Sequence, residues 1–309
     1  PTTRCCLLSA LCKMFTIAGF LTKPRQKFYA TMQPKSLKSM TEATVFSGDL
    51  VTHERDNRGV HTVTFCRPEV RNALNPQAFT ELIAACGVVA ADPEARAMVL
   101  TGEGVAFSAG GDFDALQDLL DGDRANAEAE LRHANDGILA IANLVVPTVA
   151  AINGDAFGGG AAVALTTDFR IMSDTARLGF VFARLGLSGA DTGALWWLNR
   201  LVGPVKALEI TTFGAVYGAD KALAAGLVTE VAPAEAFAEK TADFVDRLAG
   251  LAPKAVRGNK QGLAGITHRT LAEHLDQEAA IQAEAIASED FREGLDAVQN
   301  KRSPIFKGN

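Results

Sequence analysis

Several features that mark membrane, metal-binding or nucleic-acid-binding proteins are missing from this sequence. No run of apolar residues approaches the length that crosses a bilayer. The five cysteines are an odd number without metal-ligand spacing, which is typical of a chain kept in a reducing compartment. A net charge of −6 with 21% charged residues argues against disorder and against a broad basic surface for nucleic acid. The 309 residues, 48% of them apolar, predict a globular protein of one or two domains.

Acidic residues are absent from the first 41 positions, which carry seven basic residues. A basic, acid-free segment containing Ser and Thr is typical of an organelle transit peptide. An appended or untranslated leader, with Met32 or Met40 as the true start, explains it equally well. We therefore place residues 1–41 outside the fold. A genuine transit peptide would predict the mitochondrial matrix, and its absence the cytoplasm.

Segments of strand and helical character alternate up to residue 172. Residues 50–55 and 60–66 flank a turn and predict a β-hairpin. Buried strands are expected at residues 97–101 and 148–152, with helices between and after them. This alternation predicts βαβ units and a largely parallel sheet. After residue 172 the pattern predicts helices only, whose amphipathic faces would pack on a neighbouring subunit.

Two glycine-rich segments follow buried strands, at residues 102–112 and 153–160. A strand that turns through glycines into a helix leaves backbone N–H groups aimed at one spot, where they bind an anion or a developing oxyanion. A tight turn that only glycine fits is the simpler explanation of one such segment. Two segments at corresponding places in successive units favour a ligand site at the carboxyl ends of neighbouring strands. Neither fits the phosphate-binding or dinucleotide-binding glycine motifs.

An ordered set of short motifs carries a family resemblance. The motifs are Arg67-Pro68-x-x-x-Asn72-Ala73-Leu74, Gly104-x-x-Phe107-Ser108-Ala109-Gly110-Gly111-Asp112, Asn153-Gly154-x-x-x-Gly158-Gly159-Gly160, Leu185-Gly186-Leu187, Arg200-Leu201-Val202-Gly203, and a tail with Ser288-Glu289-Asp290-Phe291-Arg292-Glu293-Gly294 and Lys301-Arg302. With them the chain resembles the enoyl-CoA hydratase/isomerase (crotonase) superfamily from about residue 48 onward. Each motif alone is weak, but the ordered set is highly specific.

The resemblance implies an α/β fold, with a crotonase-like ββα spiral core and a C-terminal α-helical trimerisation region. We expect the core at residues 42–250. The C-terminal helices, at residues 251–309, would pack on the core and on a neighbouring subunit. A homotrimer or a dimer of trimers is implied, with no nucleic-acid partner, no membrane span, no metal and no cofactor beyond the CoA thioester substrate.

The resemblance also implies an acyl-CoA site. The N–H groups of Gly111 and Gly159 would hold the thioester oxygen and stabilise an enolate. Residues expected to line the CoA path are Arg71, Ala73, Ala109, Gly110 and Asp112. Lys301 matches a tail position that approaches the CoA phosphates in relatives, although a solvated basic tail explains it equally well.

Both carboxylates that the family's hydratases use are missing. The first position, three residues after the middle glycine of the triplet, holds Ala162. The second falls at Phe182 or Ala183, and residues 175–190 contain no carboxylate. Hydration by two carboxylates therefore lacks both of its groups.

Asp191 stands where the superfamily's isomerases place a single acid. By itself it resembles a helix N-cap, since it precedes the apolar run from Ala194. With the resemblance we identify Asp191 as the catalytic candidate. Apolar surroundings would raise the pKa of its carboxyl, which suits a group that takes and returns a proton.

The other polar candidates are weaker. Asp112 and Asp114 begin a helix, where caps are common. Asp155 could reach the acyl pocket, but a role in stabilising the turn is favoured. The five histidines stand near no Ser or Cys in a triad order and are expected at the surface or in packing roles.

Three functions stay open, in order of preference. The first is double-bond isomerisation of an enoyl-CoA, with Asp191 as acid and base. The second is hydration or dehydration of an enoyl-CoA. The third, of another class, is acyl-CoA binding with little catalysis.

Overall fold

The computed structural model describes residues 41–309, apart from the side chains of residues 41–45 and 47. The predicted leader lies outside the described residues except for its last position. The strands are β1 (Thr41–Ser47), β2 (Val51–Asp56), β3 (Val60–Phe65), β4 (Ala97–Gly102), β5 (Ala106–Ser108), β6 (Thr148–Ile152), β7 (Asp155–Phe157), β8 (Phe169–Ser173), β9 (Arg177–Gly179), β10 (Val216–Gly218) and β11 (Glu230–Ala232). The α-helices are α1 (Pro76–Ala91), α2 (Phe113–Asp121), α3 (Arg124–Ala142), α4 (Gly159–Thr166), α5 (Ala194–Val202), α6 (Pro204–Thr212), α7 (Ala219–Ala224), α8 (Phe237–Ala249), α9 (Pro253–Leu263), α10 (Leu271–Ile286) and α11 (Glu289–Gln299).

The strands form two sheets. The larger has the order β1-β2-β3-β4-β6-β8-β11, and the smaller has the order β10-β9-β7-β5. From β3 to β11 all neighbours in the larger sheet are parallel, while β1, β2 and β3 pair antiparallel and include the predicted hairpin. The central strand β6 is buried along its whole length, as expected for a parallel strand covered on both faces.

Successive segments repeat one ββα unit. Each unit sends one strand to the larger sheet and the next short strand to the smaller sheet, and then continues into helix. The pairs β4–β5, β6–β7 and β8–β9 follow this rule. The predicted ββα spiral is therefore confirmed, and the ends of β5 and β7 lie side by side because these two strands pair in parallel.

Helix α4 is an interior helix of the spiral. Residues 160–166 are all buried, and the sequence from Gly159 to Thr166 carries no charged side chain. A helix that is apolar on every side is stable only when protein surrounds it. Its buried position fixes where its N-terminus lies, directly after β7.

The prediction of helices only beyond residue 172 is wrong, because β9, β10 and β11 lie there. The glycine-rich segments likewise contain β5 and β7, which sequence analysis places in turns. All five strands are three residues long, too short for an alternating pattern to distinguish them from loop. Strands of this length exist because neighbours in a sheet pair with them.

The C-terminal part is helical, as expected. Helix α8 covers the outer face of the larger sheet, where Phe244 packs edge-on against Phe169 with ring centroids 5.3 Å apart. Helices α9 to α11 follow. No helix among the described residues is long and apolar enough to cross a membrane.

Candidate active site

The loop before α1 is held in an unusual conformation by Asn72. Arg71 and Asn72 both lie in the left-handed region, with φ of 53° and 56°. The buried Asn72 amide Nδ2 donates to the carbonyl oxygens of Glu103 (2.9 Å) and Ala106 (2.8 Å), and Oδ1 accepts from the Arg67 N–H. These bonds fasten the loop to the β4–β5 connection and so stabilise a backbone that ordinary residues avoid.

The fastened loop positions the first glycine turn. The Leu74 N–H donates to the Gly110 carbonyl (2.7 Å), and the Leu74 carbonyl accepts from the Asp112 N–H (2.9 Å). Because a parallel bridge of this kind uses the groups of the flanking residues, the N–H of Gly111 points away from Leu74. The Ala109 N–H donates to the Arg71 carbonyl in the same way. The residues predicted to line the CoA path are thus gathered around Gly111.

The second glycine turn lies against the first. A Cβ added at Gly110 would lie 2.6 Å from the Phe157 carbonyl oxygen and 3.3 Å from the Gly159 nitrogen. Gly110 also has φ of +92°, so both its conformation and its close neighbour require glycine there. Gly110 therefore brings the turn that carries Gly111 into contact with the turn that carries Gly159.

Gly159 differs from the packed glycines around it. A Cβ at Gly160 would lie 2.6 Å from the Ser108 carbonyl oxygen, which packing forbids. A Cβ at Gly159 would meet nothing nearer than 3.9 Å, and the φ of Gly159 is an ordinary one. Neither packing nor backbone conformation requires glycine at 159. The side of Gly159 that a side chain would occupy is instead left open, with room for an atom of a ligand.

Helix α4 adds electrostatic support to this opening. Its first internal hydrogen bond runs from the Ala162 N–H to the Gly158 carbonyl, so the Gly159 N–H belongs to the unpaired first turn. The positive end of the helix dipole also lies there. The arrangement suits an oxygen that gains negative charge.

Asp191 lies in the loop that packs on Gly159. Its neighbour Thr192 places Oγ1 3.9 Å from the position of a Gly159 Cβ. The Asp191 carboxyl is half-buried, and burial raises its pKa above the ordinary value, although the Thr192 N–H partly opposes this by hydrogen bonding to the carboxylate. A raised pKa keeps the group ready to exchange a proton.

The alternative assignment of Asp191 as a helix N-cap is wrong. Helix α5 begins at Ala194, its N-cap residue is Gly193 with φ of 78°, and no side chain caps it. The glycine occupies the cap because the chain enters the helix from a left-handed conformation. The Asp191 side chain is consequently not committed to the helix end.

Apolar side chains surround this loop. A Cβ at Gly193 would lie 3.6 Å from Ile138 Cγ2 and 3.5 Å from Trp197 Cδ1. A Cβ at Gly158 would lie 3.9 Å from the ring of Phe182, which is itself buried. Ala162, the other position at which hydratases carry a carboxylate, is completely buried in α4. Ala162 and Phe182 thus contribute to an apolar interior, whereas Ala183, the alternative residue at the second position, is exposed.

The carboxylates nearest the glycine turns are engaged elsewhere. Asp112 caps α2, accepting from the N–H groups of Asp114 and Ala115, and pairs with Arg67 at 2.6 Å. Burial alone would raise the pKa of Asp112, but these hydrogen bonds outweigh it and the pKa is lowered. Asp155 accepts from the backbone N–H (3.0 Å) and Nε (3.1 Å) of Arg177 across β7 and β9.

Other sequence candidates lie apart from the turns. Lys301 is exposed just after α11, and its side chain has no hydrogen bond or ion pair among the described residues. His53 and His61 are buried in the β2–β3 hairpin, with His53 Nε2 2.8 Å from His61 Nδ1. Across residues 41–309 no three His, Cys, Asp or Glu side chains are grouped to hold a metal ion.

Comparison with known proteins decides the family. Residues 55–309 match the family model described as enoyl-CoA hydratase/isomerase. The chain belongs to the enoyl-CoA hydratase/isomerase family. A Rhodobacter capsulatus protein named "Probable enoyl-CoA hydratase" is 38% identical over 262 residues, which cover 82% of this chain and 96% of the relative. The 1,2-epoxyphenylacetyl-CoA isomerase of Escherichia coli is 32% identical over 252 residues, covering 81% and 96%.

Solved structures agree with this membership. The enoyl-CoA hydratase of Bacillus anthracis superposes with a TM-score of 0.79 and 28% identity, over 84% of this chain and all of that chain. The relatives of this enoyl-CoA hydratase/isomerase family member carry both hydratase and isomerase names. Family membership therefore leaves the reaction to be argued from the site.

Sequence analysis missed two residues that shape the site. Asn72 was noted only as part of a motif, and nothing in its pattern indicates three hydrogen bonds to distant backbone. No pattern in the sequence indicates a role for Thr192, because the residues next to it in the chain predict neither its left-handed backbone conformation nor its burial.

Proposed function

We propose that this family member binds an acyl-CoA thioester and isomerises a carbon–carbon double bond through an enolate. The N–H groups of Gly111 and Gly159 hold the thioester oxygen, and Asp191 transfers the proton. The observation that carries the proposal is Gly159, a glycine that neither packing nor φ requires, opening toward the Asp191–Thr192 loop. Family membership supplies the thioester as the expected ligand.

The proposed reaction balances with one acid–base group. The Asp191 carboxylate removes a proton from a carbon next to the thioester or vinylogous to it. The electron pair moves onto the thioester oxygen, where the two N–H groups stabilise its charge. Asp191 then returns the proton to another carbon, which shifts the double bond. The raised pKa of Asp191 supports both directions of transfer.

Isomerisation is favoured over hydration by the apolar residues at the two hydratase positions. Ala162, Phe182 and Ala183 carry no polar side-chain group, so none of them can hold or activate a water molecule. Hydration, with Asp191 and backbone groups handling the water, is the second candidate, favoured by relatives that carry hydratase names. Two incubations separate them. Hydration of crotonyl-CoA removes the conjugated-enoyl absorbance, whereas isomerisation of a 3-enoyl-CoA creates it.

Asp191→Asn tests the single-acid mechanism. We expect turnover of a 3-enoyl-CoA to fall about 10²- to 10⁴-fold, the usual contribution of a positioned acid–base group, while acyl-CoA binding persists. Mass spectrometry of the product and of solvent-deuterium uptake measures it. Asp155→Asn, which makes the same substitution at a carboxylate of the second glycine turn, is the matched control. Unchanged turnover in Asp191→Asn would refute the mechanism, and binding without turnover by the wild-type protein would favour the acyl-CoA-binding function.

The proposed CoA path runs along the loop that Asn72 fastens. Backbone groups of Arg71, Ala73, Ala109 and Gly110 gather beside Gly111, and Arg71 is exposed at its edge. Lys301 would reach the CoA phosphates from the end of α11. Arg71→Ala and Lys301→Ala are expected to raise KM for acyl-CoA without changing kcat.

We further propose that the C-terminal helices associate with other copies of this chain, as a homotrimer or a dimer of trimers. Six large apolar side chains on α10 and α11 are 42–79% exposed, and three of them recur on α11 at the i, i+4, i+7 spacing of one helix face. They are Leu271, Leu275, Ile286, Phe291, Leu295 and Val298. Sedimentation of the purified protein measures the assembly, and a monomer would refute it.

A further inference from the structure

Thr192 combines two features that proteins normally avoid. Its φ is 44°, in the left-handed region that β-branched residues rarely enter. The residue is 5% exposed, and its Oγ1 has no hydrogen-bond partner among the described residues. A buried hydroxyl without a partner loses its hydration and gains nothing in return. Strain and an orphaned donor in one residue point to a partner that binds there.

The hydroxyl lies beside the open face of Gly159. The point that a Gly159 Cβ would occupy is 3.9 Å from Thr192 Oγ1 and 3.9 Å from Leu74 Cδ1. An atom placed at this point would therefore lie near both side chains. Leu74 can offer only van der Waals contact to an atom placed there, whereas Thr192 can donate a hydrogen bond.

Thr192 also connects the two parts of the proposed site. Its backbone N–H donates to the Asp191 carboxylate, and its side chain faces the helix end that carries the Gly159 N–H. An oxygen that accepts from that N–H and also lies within hydrogen-bond distance of Thr192 Oγ1 would satisfy the hydroxyl. No protein acceptor among residues 41–309 does so.

We propose that the Thr192 hydroxyl donates a third hydrogen bond to the thioester oxygen, beside the N–H groups of Gly111 and Gly159. This inference rests on the proposed function, because it requires an acyl-CoA thioester in the site. A donor that is already dehydrated and fixed in place stabilises a developing oxyanion without reorganisation. Thr192 is thereby a catalytic residue of the enolate-forming step.

The test compares Thr192→Val with Thr192→Ser. Valine keeps the shape and β-branching of threonine, so the backbone strain is matched and only the hydroxyl is removed. Serine retains the hydroxyl. The probe is butanoyl-CoA labelled with ¹³C at the thioester carbonyl, a saturated ligand with no double bond to move. Difference infrared spectroscopy of the bound ligand measures how strongly the carbonyl is polarised.

We expect binding to lower the carbonyl frequency in the wild-type protein and in Thr192→Ser, and to lower it less in Thr192→Val. Turnover of a 3-enoyl-CoA should fall about 100-fold in Thr192→Val, the effect of losing one oxyanion donor. Asp191→Asn should leave the carbonyl shift in place, since Asp191 acts on carbon.

The outcomes separate this inference from the proposed function. A carbonyl shift in Thr192→Val equal to that of the wild type would overturn the role of Thr192 alone. A change confined to the pH profile of turnover would also overturn it, because the hydroxyl would then serve Asp191. If the wild-type protein neither binds nor polarises the probe, the proposed function fails.

Thr192→Gly controls for folding. Glycine relieves the left-handed strain, so the unfolding midpoint should not fall, yet the carbonyl shift should decrease as in Thr192→Val. A Thr192→Gly protein that is stable and retains the full shift would contradict the proposal even if Thr192→Val failed to fold.

Discussion

The two ends of helix α4 differ in whether other protein groups form hydrogen bonds with their unpaired backbone groups. At the C-terminal end the buried guanidinium of Arg170 donates to the carbonyls of Leu165 (3.3 Å), Thr167 and Leu227 (2.8 Å). At the N-terminal end the Gly159 N–H belongs to the unpaired first turn, and the nearby Thr192 hydroxyl has no partner among the described residues. A helix leaves unpaired groups at both ends. Here side chains of the protein satisfy the C-terminal end, whereas in the proposed function a ligand satisfies the N-terminal end.

Arg170 is a charged side chain that is buried in order to bond the carbonyl groups at the C-terminal end of α4. It is 6% exposed, and burial lowers its pKa to about 10, so a charged group is retained at a cost. Its side chain can reach carbonyls of two segments at once because the guanidinium carries several donors in a fixed plane. The difference between the ends can be tested by changing each in turn.

Arg170→Met should have the largest effect on stability. Methionine fills a similar volume but leaves three buried carbonyl groups without their donor, each at about 1–3 kcal/mol. We expect the free energy of unfolding to fall by about 3–5 kcal/mol in urea denaturation. Arg177→Met, at an exposed arginine, is the control and should change it by less than about 1 kcal/mol. An Arg170→Met protein as stable as the wild type would show that water replaces the guanidinium.

The two glycines at the open end should respond differently to alanine. Gly160→Ala places a methyl group 2.6 Å from the Ser108 carbonyl oxygen and should destabilise the fold by about 1–3 kcal/mol through overpacking. Gly159→Ala meets no atom within 3.9 Å, so stability should change by less than about 1 kcal/mol. Turnover and carbonyl polarisation should nevertheless be lost in Gly159→Ala, because the methyl group occupies the ligand's space.

Thermal unfolding and turnover, measured on both alanine variants, check this pair. A Gly159→Ala protein with full activity would contradict the assignment of the opening to a substrate oxygen. Equal destabilisation of both variants would show that the opening closes in solution.

The fold was largely predictable from sequence, while the strained parts of the site were not. The βαβ alternation, the hairpin and the motif order indicated the spiral, and the short strands β5, β7 and β9 were missed because pairing, not propensity, makes them strands. The glycine motifs identified Gly110 and Gly159 together but could not tell a packing glycine from an open one. That distinction depends on distances to Phe157, Leu74 and Thr192, residues far apart in the chain.

A smaller effect is expected in the dependence of stability on pH. Burial raises the pKa of Asp191 in the folded chain, so the native state keeps a proton that the unfolded state has already released. Stability should therefore decrease as pH rises from the ordinary aspartate pKa, about 4, through the raised value. Asp191→Asn should abolish this slope. Urea unfolding at a series of pH values measures this dependence. If the free energy of unfolding changes with pH equally in the wild type and in Asp191→Asn, the Asp191 carboxyl is solvated in the folded protein and its pKa is not raised.

The smallest expected effect concerns Asp155, the carboxylate within the second glycine turn. Its ion pair with Arg177 joins the first residues of β7 and β9, with the arginine side chain 58% exposed, and exposed pairs of this kind contribute about 0–1 kcal/mol. Asp155→Asn should therefore reduce stability by at most that amount and leave turnover unchanged. Steady-state kinetics and urea unfolding measure both. A tenfold loss of turnover would mean instead that Asp155 reaches the acyl pocket. The open end of α4 would then hold two acids, and hydration would regain a pair of carboxylates.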